Sequence, residues 1–205
     1  ISNGSVFLSL TAFGTGPCGD STDQMRLTII EAPTANAGPD ATICEGESYT
    51  MQASASQTKD LNWMSSGDGN FNDTTILNPT YTPGPGDISA GSVTLTLTVA
   101  GSPPCADATD DMLLTIEPNP VANAGQDVSV CLGECATLSA SGGVSYLWSN
   151  QETNATIIVC PTIISTYTVT VTDINGCTDS DEVVVTVNPL PQANAGQDVE
   201  ICSGD

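Results

Sequence analysis

The string Ala-Asn-Ala-Gly occurs three times, from Ala35, from Ala122 and from Ala193, at spacings of 87 and 71 residues. The first 38 residues align without a gap on residues 88 to 125. Ile1 falls on Ile88, Cys18 on Cys105, Met25 on Met112, and Leu27-Thr28-Ile29 on Leu114-Thr115-Ile116. A chain that repeats itself at such a period must build its fold from one supersecondary unit used again and again. The 205 residues accordingly divide into four pieces. Residues 1–33 read as the C-terminal part of a preceding repeat, 34–120 as a complete repeat, 121–191 as a complete shorter one, and 192–205 as the start of a following one. Prolines mark each junction, at Pro33, at Pro118 and Pro120, and at Pro189 and Pro191. Proline removes a ladder donor and stiffens the chain, so strand pairing stops there and the linkers are short and rigid. The expected arrangement is a set of domains held end to end, a window on a longer tandem array.

Within a repeat the hydrophobic period is two. Val93, Leu95, Leu97 and Val99 alternate with threonines, as do Tyr167, Val169 and Val171. Each run is followed by a cysteine, an acidic turn and a second alternating run, with Met112, Leu114 and Ile116 in one repeat and Val183, Val185 and Val187 in the other. Strict alternation predicts half-buried antiparallel strands. No segment carries a convincing 3.6-residue period. Short strands separated by Gly, Pro, Asn and Asp suit an all-β fold of tandem immunoglobulin-like β-sandwiches. Trp63 and Trp148 recur at matching places, 19 and 17 residues after Cys44 and Cys131. They are expected to be core pins of the sandwiches rather than sugar-stacking platforms.

Charge narrows the partners. Twenty-four acids face two bases, with no histidine, for a net charge of −22. Nucleic-acid binding is excluded because phosphate neutralisation needs Lys and Arg. Imidazole catalysis and His-ligated zinc are excluded with the histidines. No apolar run approaches a membrane span. Yet only 13% of residues are charged and 39% are hydrophobic, too few charges and too much apolar content for an acidic disordered tail.

The longer string Ala-Asn-Ala-Gly-x-Asp-x-x-x-Cys-x-Gly-Glu matches Ala35 to Glu47 and Ala122 to Glu134, and a third copy from Ala193 ends in Ser203-Gly204-Asp205. Each complete copy continues into a strand, a Trp, Asn-Pro-Thr or Cys-Pro-Thr, an alternating strand and a Cys. This pattern resembles the PKD-like and Ig-like tandem repeats of very large surface adhesins of Bacteroidota, including gliding-associated ones, over essentially the whole chain. The resemblance implies a non-catalytic stalk or filament segment of a secreted or surface-attached protein exported by the type IX system. Its partners would be the adjacent repeats of the same chain, and other chains through lateral or end-to-end self-association. A carbohydrate- or surface-binding module is the alternative.

Zinc is the first alternative for the cysteines, since Cys131-Leu132-Gly133-Glu134-Cys135 has ligand-like spacing, but no second close pair and no histidine complete four ligands. Disulfides in an oxidising compartment fit better. Cys44 and Cys131 align near the first strand, and Cys105 and Cys177 align before the last strand. In an Ig-like sandwich part of the first strand runs parallel to the last, which leads to the expected pairs Cys44–Cys105 and Cys131–Cys177. Cys135 stands where the longer repeat has Ser48 and Cys160 where it has Asn78, so these two substitutions are expected to be partners. Cys18 aligns with Cys105 and Cys202 with Cys44, so their partners are expected outside the 205 residues. With one lysine in the chain, Lys–Asn isopeptide crosslinks are not a repeating device here.

The acids give two readings. Asp40, Asp127 and Asp198 follow the Ala-Asn-Ala-Gly turn and lie, by the expected topology, near Asp107, Asp110 and Asp111 or Asp179 and Asp181. They fit calcium ligands that rigidify a joint, or caps of the turn; no cofactor is required. The run Asp68-Gly69-Asn70-Phe71-Asn72-Asp73 starts like a calcium loop but lacks the Gly and Glu an EF-hand needs, and reads as a turn. Asn3, Asn72 and Asn154 head formal N-glycosylation sequons. Ser21 and Thr74 sit in Asp-Ser/Thr-x strings like the O-glycan acceptors of Bacteroidota. No carboxylate pair is singled out for glycoside chemistry, because the acids recur with the repeat, whereas a catalytic site should appear once.

Overall fold

The computed structural model describes residues 4–56, 60–200 and 203. The chain forms two compact units, Ile1–Pro118 and Asn119–Asp205. The division falls at the proline-marked junction around Pro118.

The first unit opens with a hairpin, β1 (Gly4–Ala12) and β2 (Ser21–Ile29). Its sandwich follows: β3 (Ala35–Asn36), β4 (Ala41–Cys44), β5 (Tyr49–Thr50), β6 (Ser54–Ala55), β7 (Leu61–Ser65), β8 (Asn70–Phe71), β9 (Thr80–Thr82), α1 (Pro85–Ala90), β10 (Ser92–Val99) and β11 (Ala108–Glu117). One sheet has the order β4-β11-β10-β7. In it β4 runs parallel to β11, with Leu114 opposite Ala41 and Glu117 opposite Cys44, while the other pairs are antiparallel. The strands β5-β9-β8 and the pair β3-β6 supply the facing layer. A four-stranded sheet closed by a parallel first strand, over a second small sheet, is the immunoglobulin-like arrangement.

The alternating sequence dictates this packing. Along β10 every second residue is buried, Val93, Leu95, Leu97 and Val99 at 0–3% exposure, and the threonines between them face outward. Met112, Leu114 and Ile116 of β11 continue the same face. Trp63 on β7 lies in the middle, 1% exposed, its ring 5.7 Å from Phe71, which stacks obliquely 4.8 Å from Tyr81. Each such aliphatic side chain contributes about 1.5–3 kcal/mol by leaving water.

The second unit repeats the plan with β12 (Val128–Cys131), β13 (Ala136–Ser139), β14 (Ser145–Trp148), β15 (Thr156–Val159), β16 (Ser165–Thr172) and β17 (Thr178–Asn188). The sheet order β12-β17-β16-β14 corresponds strand for strand to the first, β12 again lies parallel to β17, and β13 pairs with β15 on the facing side. Trp148 takes the place of Trp63, buried among Leu138, Ile157, Val169, Val171, Val183 and Val185.

The helix α1 is a departure from the sequence expectation of strands alone. Pro85 occupies its first turn, Asp87 at the third helical position accepts a hydrogen bond from the Gly84 N–H, and Gly91 ends it at φ 75°. These are ordinary start and stop signals, but six residues are too few to show a 3.6 period.

Candidate functional site

The feature common to all repeats is the motif beginning Ala-Asn-Ala-Gly, and the structure gives its residues local tasks. The side chain of Asn36 accepts the Gly38 N–H at 2.8 Å, and Asn123 and Asn194 do the same for Gly125 and Gly196. All three glycines have positive φ, between 80° and 98°, which an L side chain resists. At Gly38 a Cβ would also lie 2.9 Å from the Gln52 carbonyl oxygen. The turn buries Ala37 and Ala124, at 0 and 1% exposure. Farther along, Cys44-Glu45-Gly46-Glu47 closes as a turn in which Glu47 returns its carboxylate to the Cys44 N–H. Glu134 does so for Cys131.

Carboxylates then latch this segment to the last strand. Asp110 on β11 accepts the Ala37 N–H at 2.8 Å, and Asp181 on β17 accepts that of Ala124 at 2.9 Å. In return Asp40 accepts the Leu113 N–H and Asp127 that of Val184, at 2.8 and 2.9 Å. These bonds extend the parallel ladder just where its backbone pairs stop. The Asp181 carboxyl is held below its ordinary range by the N–H groups of Ala124 and Glu182. Of the three aspartates expected as calcium ligands or turn caps, Asp40 and Asp127 reach instead to N–H groups of the last strand of their sandwich, while Asp198 lies exposed. Among the described residues no group of three or more Cys, Asp or Glu comes together as a metal cluster.

The cysteines correct the sequence reading. Cys135 and Cys160 form a disulfide, with a Cα separation of 4.1 Å. They flank the β13–β15 ladder, next to the opposed pair Ala136 and Val159. The expected pairs Cys44–Cys105 and Cys131–Cys177 do not form. Cys105 and Cys131 are free thiols, whereas Cys44 and Cys177 are each disulfide-bonded. The parallel pairing of first and last strands was correctly expected, but it sets these residues at opposite ends. Cys44 lies beside the end of β11 at Glu117, and Cys105 precedes its start at Ala108. At ~3.3 Å per residue the strand between them is about 30 Å long, whereas a disulfide needs Cα atoms about 4.4–6.8 Å apart. The same holds for Cys131, opposite Asn188, and Cys177, before Thr178. Cys18 is a free, exposed thiol, and Cys202 lies outside the described residues.

A second polar cluster was not foreseen. Asp87 is buried at 2% exposure, and its carboxylate accepts the Tyr81 hydroxyl at 2.7 Å and the N–H groups of Asp68, Gly69 and Gly84. Asp68 reciprocates, accepting from Gly86 and Asp87 at the start of α1. Burial pushes the Asp87 carboxyl upward, but the bonds from Tyr81, Gly84, Asp68 and Gly69 together outweigh it, and the net direction is down. Tyr81 is pushed up to about 12, first by burial and further by the Asp87 charge. The run that starts like a calcium loop is thus a side-chain clamp between a turn and a helix. The spacing of Asp68 and Asp87, 19 residues apart, gave no local signal.

Trp63 and Trp148 are both 1% exposed, and their ring N–H groups donate to the carbonyls of Leu77 and Asn154. Neither offers a face to a sugar. A shallow cleft of about 350 Å³, lined by Asp60, Leu61, Asn62, Thr75, Thr98 and Ala100, has no aromatic wall. Asn72, Asn154 and Ser21 are exposed and Thr74 is half-buried; Asn3 lies outside the described residues. The side-chain Oδ1 of Asn72 accepts the Thr80 N–H.

No family model matches the chain, and no curated protein matches it. Several solved immunoglobulin-domain structures do. A three-domain Ig fragment of titin is 11% identical, covering 91% of this chain and 75% of that one, at a TM-score of 0.39. Extracellular domains 3–5 of Drosophila OTK are 10% identical, covering 83% and 66%, at 0.41. The titin domains Z1Z2, in complex with telethonin, are 14% identical, covering 80% and 100%, at 0.36. At these scores the fold assignment rests on the strand pairing above, not on the superpositions.

Proposed function

We propose that this chain is a structural stalk segment of a large extracellular repeat protein, a surface adhesin of the Bacteroidota type that the motif resembles. The observation that supports it is the use of the repeated residues. The Asn-Gly turns, the Asp40 and Asp110 latch and its Asp127 and Asp181 counterpart, and the two tryptophans all serve to hold each sandwich together. A repeated element whose distinctive residues are spent on its own fold acts through its length and stiffness. Disulfide-bonded cysteines fit an oxidising, extracellular compartment. The acidic, threonine-rich coat keeps such a surface solvated and discourages nonspecific association.

Single-molecule stretching combined with a glycan array tests the reading. The stalk role expects discrete unfolding events, with the contour of the second unit shortened by the Cys135–Cys160 loop until reductant is added, and no saturable glycan binding. Saturable binding to a defined glycan would favour the carbohydrate-binding alternative and overturn it.

A further inference from the structure

Within the second unit a free thiol stands beside an exposed disulfide. Cys135 and Cys160 are joined, and both are exposed. Cys131 is a free, exposed thiol four positions before Cys135. A tight turn closes the stretch between them. The Glu134 N–H donates to the Cys131 carbonyl at 2.9 Å, and the Glu134 carboxylate accepts the Cys131 N–H at 3.3 Å. Gly133 completes the turn at φ 93°. Such a turn keeps its end Cα atoms within roughly 7 Å, and one further residue adds about 3.8 Å, so Cys131 and Cys135 lie within about 11 Å of each other. A Cβ built at Gly133 would meet nothing within 4 Å. The turn is open on that side, and loop motion on the nanosecond-to-microsecond scale brings the two side chains closer. The longer repeat has no such arrangement, because Ser48 stands at the position of Cys135. A feature present in one sandwich and absent from the other is not required by the fold they share.

We propose that Cys131, Cys135 and Cys160 form a thiol–disulfide exchange site, in which the Cys131 thiolate attacks the Cys135 Sγ and releases Cys160. The Cys131–Cys135 bond forms as the Cys135–Cys160 bond breaks. The proton lost by Cys131 is taken up from water by the departing Cys160, and no net electrons move, so neither oxidant nor reductant is consumed. Exposed disulfides are the labile ones, and the attacking thiol here belongs to the same turn, so its effective concentration is set by the chain rather than by the solution. The fold sets the resting state. The β13–β15 ladder holds Cys135 and Cys160 next to the opposed pair Ala136 and Val159. Their bond also spans 25 residues, whereas the exchanged bond spans four and constrains the unfolded chain less. Cys135–Cys160 is therefore the major form. Exchange removes the covalent tie between β13 and β15 and leaves Cys160 as the exposed thiol.

The test is peptide mapping of the oxidised 205-residue chain, incubated without added thiol at about pH 8, where thiolate is available, then blocked with a maleimide. Cleavage at Glu134, Glu152 and Asp173 puts the three cysteines on separate peptides. A Cys131–Cys135 pair with blocked Cys160 is expected as a minor form, on the order of 1–10% of molecules, and Cys131→Ser should abolish the blocked Cys160. Finding Cys135–Cys160 as the single bond among the three would overturn the proposal, as would equal blocking of Cys160 in Cys131→Ser. Cys160→Ser gives a second readout, with folding checked by the emission of the buried Trp148. Oxidised glutathione should then close Cys131–Cys135 in most folded molecules. Two thiols, or two glutathione adducts, at those positions would also overturn it.

Discussion

Asp87 is the sole buried charged side chain among the described residues, and four donors are aimed at it. Asp87→Asn would turn one acceptor oxygen into a donor facing other donors, which costs about 1–3 kcal/mol. The loss should appear in urea melts followed at Trp63 and be absent at Trp148. The sign of the pH effect follows from the lowered folded-state pKa. Stability from this group is fully present above its unfolded value of about 4, and is lost as pH falls through the lower folded value. Acid titration of the first unit should therefore show a fall in stability that Asp87→Asn removes. The latch aspartates act more locally. Asp110→Ala and Asp181→Ala should speed amide exchange at Ala37 and Ala124 while the centres of β10 and β16 stay protected; unchanged exchange would remove the latch role. Asp87 was illegible in the sequence because its partners come from Asp68, Gly69, Tyr81 and Gly84, a set that folding assembles.

Among the elements, the hairpin β1–β2 shows how fully a repeat can be read. Val6 pairs with Leu27 and Leu8 with Met25, the register in which Val93 pairs with Leu114 and Leu95 with Met112. The burial does not carry over. Val6, Leu8, Leu10, Met25 and Leu27 are 46–76% exposed, where their counterparts are fully buried. Alternation thus specifies a strand and its pairing partner, while burial depends on the layer laid over it. The long strands β10, β11, β16 and β17 were legible because eight or more residues keep one period. The two-residue strands β3, β5, β6 and β8 carry no period and exist only because a neighbour pairs with them. In the second unit, the Cys135–Cys160 bond substitutes for part of a facing sheet reduced to β13 and β15. Replacing both cysteines by serine should lower the stability of that unit by about 3 kcal/mol in the chain-entropy model. Denaturant melts at Trp148 would show it, and an unchanged midpoint would mean that the bond only decorates the ladder.

For the molecule as a whole, charge is the term that no single contact reports. With 24 acids against two bases, self-repulsion opposes the compact state and salt screens it. Melting temperatures should rise as sodium chloride goes from about 10 to about 150 mM, where the Debye length falls to about 8 Å. A chelator should leave the melt unchanged, since Asp40 and Asp127 already bind backbone N–H groups; a drop in chelator would instead assign them a bound cation. At this scale the sequence by itself determined the repeat and the all-β class. It also determined the antiparallel pairing of the long strands, the tryptophan pins and the Cys135–Cys160 bond, because each is written in local period or in paired substitutions between aligned copies. Only the tertiary structure decided which carboxylate meets which N–H and at which pole each cysteine lies. Alignment shows that two residues are equivalent in different repeats, whereas the distance between two residues of one repeat depends on strand direction. The parallel course of β4 along β11 is what carries Cys44 to the far end from Cys105.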